Sequence, residues 1–195
     1  MRNILLAVLV CFLVASCCAQ STGAPDYRNP KLSVPDRVAD LLKRMTLEEK
    51  VEQLAGGRRR MMATQDPEAQ KIFGKFRDLY REDSTMSVHD AAVLRNEAQK
   101  YLVEKTRLGI PAIFQGEALH GYMAYGSTSF PQVLGLASTW DPALVQKVFT
   151  AAADEMAASG TNQAFTPVLD LARDPRWGRT EETYGEDPYL VSGWR

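Results

Sequence analysis

The chain has 195 residues, 45% hydrophobic and 24% charged, ordinary values for a soluble globular domain with room for a core. Its formal net charge of −1 gives no long-range pull toward nucleic acid or an anionic membrane, so neither is expected as a partner through charge. The basic triplet Arg58-Arg59-Arg60 is short and lies in a polar stretch, which suits a solvated loop.

The leader "MRNILLAVLVCFLVASCCAQ" has a basic start at Arg2, an apolar core from Ile4 to Val14 and then small residues. It reads as a secretory signal over residues 1–19, too short for a comfortable membrane span. Two processing routes fit: cleavage after Ala19, or a bacterial lipoprotein box at Val14-Ala15-Ser16-Cys17, with Cys17 as a lipid anchor. Both predict export, to the periplasm or the cell exterior. Cys11, Cys17 and Cys18 are the only cysteines, so the body carries no disulfide framework. His89 and His120 lie far apart without ligand spacing, and no metal or other cofactor is expected.

Residues 20–34 read as a Pro/Ser/Gly-rich linker, and the domain proper as residues 35–195. Val38, Leu41, Leu42 and Met45 recur at helical steps, followed by a capping box at Thr46 and Glu49 and a stop at Gly56-Gly57. Residues 58–86 are mixed and charged, with a helical tendency near Ile72 to Tyr80, and are expected to be an excursion outside the core. Ser87 and Asp90 open a helix to about Arg107, closed by Gly109. "IPAIFQ" suits a buried strand, "GEALHGYMAYGSTSFP" a glycine-punctuated loop, and "QVLGLAST" either strand or helix. Asp141-Pro142 marks a helix start, with Leu144, Val145, Val148, Phe149, Ala152 and Met156 as its buried stripe and Gly160 as its stop. "QAFTPVLDLA" is the next expected strand, and Asp187-Pro188 repeats the helix start. This alternation predicts a parallel α/β fold with crossover connections. A (β/α)8 TIM-type barrel takes roughly 250 residues. The expectation is therefore an incomplete barrel, its first βα units only.

Ligands in such folds collect on loops after the strands. The first loop offers Glu117 and His120. The second, "RDPRWGRTEETYGEDP", offers Arg173, Arg176, Arg179, Glu181 and Glu182, with Trp177 and Tyr184 among them. Carboxylates accept from paired hydroxyls, guanidinium groups donate in a fixed fork, and flat rings cover C–H faces. A sugar fits that chemistry. Structural pairing of each arginine with a nearby carboxylate fits as well, as does a loop role for His120 and Trp177 and a capping role for Asp170. Tyr122 and Tyr125 could line a pocket mouth.

Together, "RMTLEEKVEQL", "LGIPAIFQGEALHG", "TSFPQVLGLASTWDPALV" and "FTPVLDLARDPRWGRTEETYGEDPYLV" resemble the N-terminal domain of family 3 glycoside hydrolases, which include β-glucosidases and β-xylosidases. The resemblance implies a barrel followed by an α/β sandwich domain, a β-linked oligosaccharide substrate and a retaining mechanism. By the same resemblance, Glu117 holds the far hydroxyls of the sugar in subsite −1 and Arg179 contacts that sugar. Glu182 supports Arg179, and His120 and Arg176 are further supporting candidates. The family's nucleophile is an aspartate commonly followed by tryptophan, and its acid/base glutamate comes from the second domain. This sequence has no Asp-Trp pair and no lysine-histidine pair, so none of its residues is assigned a catalytic role. The expectation is a leading portion that is inactive alone. The rival expectation is an exported, non-catalytic carbohydrate-binding module. "GEALHG" leans toward the xylosidase-like and bacterial glucosidase-like branches without separating glucose from xylose.

Overall fold

The computed structural model describes residues 26–55, 65–81 and 83–193. The leader with Cys17, the arginine triplet and the Gly56-Gly57 stop lie outside these described residues. The chain divides into two compact units, the first ending at Gly56 and the second starting at Gly57. Among the described residues no helix is long and apolar enough to cross a membrane.

In the first unit, helix α1 (Val34–Arg44) is capped by Ser33 and helix α2 (Leu47–Leu54) by Thr46. Each cap follows from sequence chemistry: a hydroxyl accepts an amide hydrogen that the helix cannot satisfy itself. The predicted capping box is complete, with Glu49 Oε2 accepting from the Thr46 amide at 2.9 Å. The lead-in expected as a linker is ordered at Tyr27. That side chain is buried, its amide donates to Asp40 Oδ2 at 3.0 Å, and its carbonyl accepts from Arg37 Nε at 2.7 Å.

The second unit is α/β, mostly helical with a small sheet. Helix α3 (Pro67–Leu79) begins at Asp66, whose carboxylate accepts the Glu68 amide and also the Tyr101 hydroxyl at 2.6 Å. Tyr101 lies on helix α4 (Val88–Lys105), so the α3 cap also ties the two helices together. Ala69, Ile72 and Phe73 of α3 pack with Leu94 and Ala98 of α4 and with Phe114. Phe76 stacks on Phe114 at 5.5 Å between ring centroids, and Phe73 meets Tyr101 edge-on at 5.9 Å. The expectation that residues 58–86 stay outside the core is therefore wrong for α3. Its apolar residues are diluted by lysines and acids in sequence, yet the helical period gathers them on one face.

The sheet is short. Strand β1 (Gln115–Glu117) pairs in parallel with strand β2 (Gln163–Phe165), with Gln115 opposite Gln163 and Glu117 opposite Phe165. Between them run helix α5 (Val133–Ala137) and helix α6 (Pro142–Ala158), the crossover that parallel strands require. "QVLGLAST" thus resolves to a helix. Asp141 accepts the Leu144 amide at 3.1 Å, and Val145, Val148, Ala152 and Met156 form the buried stripe. Leu144, expected in that stripe, is exposed. Helix α7 (Pro188–Gly193) starts where the Asp187 carboxylate accepts two amides, and its Val191 joins the core of α5 and α6.

Both strand expectations need correction. Over "IPAIFQ" the ladder begins only at Gln115, because side chains satisfy the backbone before it. Gln99 both donates to the Ala112 carbonyl at 2.7 Å and accepts its amide at 2.9 Å, and Asn162 Oδ1 accepts the Phe114 amide at 2.8 Å. Over "QAFTPVLDLA" the ladder ends before Pro167, which has no amide hydrogen to donate. All three residues of β2 are exposed.

Phe73→Ala should destabilise the second unit by about 3–5 kcal/mol, the range for deleting a buried aromatic ring. Lys75→Ala on the same helix should cost well under 1 kcal/mol, its ion pair with Glu97 being exposed. Urea unfolding of the two variants checks this; equal effects would contradict the core placement of α3.

Candidate functional site

Glu117 is the last residue of β1 and its side chain is exposed. Its carbonyl accepts the Met123 amide at 3.0 Å, which turns the chain straight back under the strand tip. The loop is closed at its base by the Phe130 amide on the His120 carbonyl at 2.8 Å, and by His120 Nδ1 on the Phe130 carbonyl at 3.0 Å. Gly121 makes that closure possible: its φ is +115°, and a Cβ there would lie 2.2 Å from the Thr128 carbonyl oxygen. Glu155 of α6 then accepts both the Thr128 amide at 3.0 Å and the Thr128 hydroxyl at 2.7 Å, anchoring the loop to the crossover helix.

The loop after β2 brings Arg179 to the start of a single 3-10 turn, Thr180–Glu182. Its guanidinium forks onto Glu182, with Nε donating to both carboxylate oxygens at 3.0 Å and Nη2 donating to Oε2. Glu182 is the more covered partner, 20% exposed at the side chain against 57% for Arg179, so the acid supports the cation from beneath. The Arg179 pKa is raised first by that hydrogen bond, and the negative charges of Asp170 and Glu117 add to the shift. The Arg179 bridge in turn holds the Glu182 carboxyl below its usual range.

Among the described residues Glu182 alone bonds Arg179, while Glu117 and Asp170 act on it only through their charge. Asp170 had been open to a capping role; it makes no capping hydrogen bond among the described residues. The remaining expected residues stand apart. Arg176 is forked onto Asp174 at an exposed position, the structural pairing. His120 serves as the loop's internal tie. Trp177 is partly exposed, and its carbonyl receives the Thr180 hydroxyl at 2.9 Å. Tyr184 is buried in the α5–α6 core, and Tyr122 is buried against α6, so neither lines an open mouth; Tyr125 is exposed.

One buried cluster escaped the sequence. Arg95 of α4 is 2% exposed and donates to the Ser159 carbonyl at 2.6 Å and to the Tyr122 hydroxyl at 3.4 Å. Ser159 and Thr161 complete it through the same hydroxyl. The available signal was position: Arg95 falls on the helical stripe of Ala91, Leu94 and Ala98. A groove of about 310 Å³ between α3 and α4 is lined by Glu68, Lys71, Lys75, Glu97 and Lys100. It is remote in sequence from both strand tips, and its mixed exposed charges define no single ligand chemistry. Among the described residues no group of three His, Cys, Asp or Glu could hold a metal ion.

Two parallel strands joined by a helical crossover, with charged side chains on the loops that follow them, define an α/β domain. Residues 46–194 match the sequence model of the glycosyl hydrolase family 3 N-terminal domain, and the chain belongs to that family. It is 35% identical over 187 residues to a putative β-xylosidase of Formosa agariphila, covering 91% of this chain and 25% of that protein. It is 34% identical over 157 residues to a periplasmic β-glucosidase of Salmonella typhimurium, covering 80% of this chain and 19% of that protein. Among solved structures, a β-glucosidase from Erythrobacter marinus superposes with a TM-score of 0.65 at 34% identity, covering 88% of this chain and 23% of that one. A mutant β-glucosidase of Listeria innocua in complex with laminaribiose gives 0.58 at 29% identity, covering 82% and 22%. The chain spans a quarter or less of the length of these relatives.

Burial pushes the Tyr184 phenol up to about 12 from its ordinary value of 10.0. The stabilisation from keeping it neutral is complete below about pH 10 and is lost as pH rises toward 12, because the unfolded chain ionises first. Tyr101, pushed up to about 12 by its hydrogen bond to Asp66, adds to the same slope. Urea midpoints should therefore fall with pH across this window, and Tyr184→Phe should flatten the slope by about one proton's worth. An unchanged slope in the variant would contradict the assignment.

Proposed function

We propose that this chain is the sugar-holding N-terminal part of an exported, retaining β-glycosidase that removes terminal β-linked glucose or xylose from oligosaccharides. The observation that carries the reading is that Arg179, forked onto Glu182 in the loop after β2, lies within reach of the charge of Glu117 at the tip of β1. A pyranose presents adjacent hydroxyls that both donate and accept. Glu117 accepts from two of them, and the free edge of the Arg179 guanidinium donates to a neighbour. Glu182 keeps the guanidinium oriented before the sugar arrives, which limits the ordering cost of binding. Asp170 supplies another acceptor beside it.

In the retaining reaction one carboxylate attacks the anomeric carbon as a second protonates the leaving oxygen; water then releases the sugar. The residues described here hold the sugar and supply neither reacting group. On this reading both lie outside residues 1–195, and the leader directs the protein to the periplasm or the cell exterior. Similarity to xylosidases and glucosidases alike, one of them periplasmic by name, supports the substrate class and the exported setting.

Glu117→Gln and Arg179→Lys in the complete gene product should each lower kcat/KM on laminaribiose or xylobiose by about 10- to 150-fold. That range is the loss of one charged hydrogen bond of about 1.5–3 kcal/mol. The 195-residue polypeptide alone should release no nitrophenol from aryl β-glucosides or β-xylosides. Unchanged kcat/KM in the variants would end the sugar-site assignment, and turnover by the short polypeptide would end the partition of roles.

A further inference from the structure

We propose that Arg95 is a positioning residue for Glu117, acting through the Tyr122 hydroxyl; the inference rests on the sugar-holding role given to Glu117 above. A guanidinium withdrawn from water is costly unless its charge is met. No carboxylate among the described residues meets this one, and its Nε has no hydrogen-bond partner there. Three weaker sources of negative potential surround it instead. The Ser159 carbonyl stands at the C-terminal end of α6, where the helix dipole is negative. The Phe114 ring has its centroid 5.9 Å from the guanidinium carbon. The third is the Tyr122 oxygen.

Those partners are the residues that set the sheet. Phe114 immediately precedes β1, and its carbonyl accepts the amides of Asn162 and Gln163 at the start of β2. Ser159 and Thr161 lead into β2, and both bond the Tyr122 hydroxyl at 3.0 Å. Arg95 therefore pins the entry of both strands from one point on α4. Tyr122 carries the constraint to the tip. Its ring edge lies against Gly116, where an added Cβ would meet Tyr122 Cε2 at 2.9 Å and Thr161 Cγ2 at 3.0 Å. The next residue, Met123, donates its amide to the Glu117 carbonyl at 3.0 Å. Any shift of the Tyr122 hydroxyl thus moves the ring beneath Gly116 and the amide that holds Glu117. Burial alone would raise the Tyr122 pKa, but the Ser159 and Thr161 hydroxyls and the Arg95 charge outweigh it and lower it, consistent with an oxygen that carries partial negative charge toward the guanidinium.

A double-mutant cycle in the complete gene product, read as kcat/KM on laminaribiose and xylobiose, tests this. Tyr122→Phe and Arg95→Met should each reduce kcat/KM on the order of tenfold, the scale of a small misplacement of a binding group. In the Glu117→Gln background neither should reduce it further, because the group they position has lost its charge. A merely structural role would give the same fold-loss in both backgrounds, and that result overturns the proposal. So do wild-type values for the single variants. Should Arg95→Met fail to fold, Tyr122→Phe decides alone, since it removes one oxygen and leaves the Ser159–Thr161 hydrogen bond in place. If Glu117→Gln itself behaves as wild type, the sugar-site reading falls and takes this inference with it. If Glu117→Gln is impaired while Tyr122→Phe is not, this inference falls alone.

Discussion

The parallel pairing of Gln115–Glu117 with Gln163–Phe165 is the constraint on which the second unit turns. Parallel neighbours point their carboxyl ends the same way, so the loops that leave them emerge side by side at one end. Glu117 comes from the first tip. Arg179, Glu182 and Asp170 come from the chain beyond the second. With only three residue pairs in the ladder, backbone hydrogen bonds contribute little rigidity, and side chains supply the rest. Gln99, Asn162 and the Arg95 cluster hold the strand entries, and Glu155 holds the returning loop.

On the proposed reading, the charges at the tips suit a neutral, hydroxyl-bearing ligand better than an ion. Arg179 is already forked onto Glu182, and two further carboxylates lie within its field. An added anion would meet net negative charge, and an added cation would compete with a guanidinium fixed in place. Hydroxyl groups need neither: they exchange donor and acceptor roles across carboxylate and guanidinium without bringing a charge to desolvate. The Arg176–Asp174 fork, two residues apart and exposed, shows the alternative outcome in the same loop, in which both partners are spent on each other at the surface.

Legibility in the sequence followed the range of the interaction. Helix starts at Thr46, Ser87, Asp141 and Asp187 depend on a side chain reaching an amide two or three residues on, and these were readable, whereas the Ser33 cap fell in the stretch expected to be a linker. The strands were misplaced because their limits are set from outside: Gln99 occupies the Ala112 backbone, and Pro167 ends the second ladder. Helix α3 was misjudged because the charged residues Glu68, Lys71, Lys75 and Asp78 around Ile72, Phe73 and Phe76 conceal a face that only the fold brings against Phe114. At the site, Glu117 and Arg179 were visible from loop position and family resemblance. Asp170 was ambiguous, and Arg95 was hidden by the usual assumption that an arginine on a helix faces water.

The most direct measurement is a crystal structure of the complete gene product with glucose or xylose bound. The account predicts one pyranose ring with hydroxyl oxygens within about 3 Å of both the Glu117 carboxylate and the Arg179 guanidinium, and Glu182 still forked beneath the arginine. A sugar bound elsewhere, or one that touches only one of those two side chains, would contradict it.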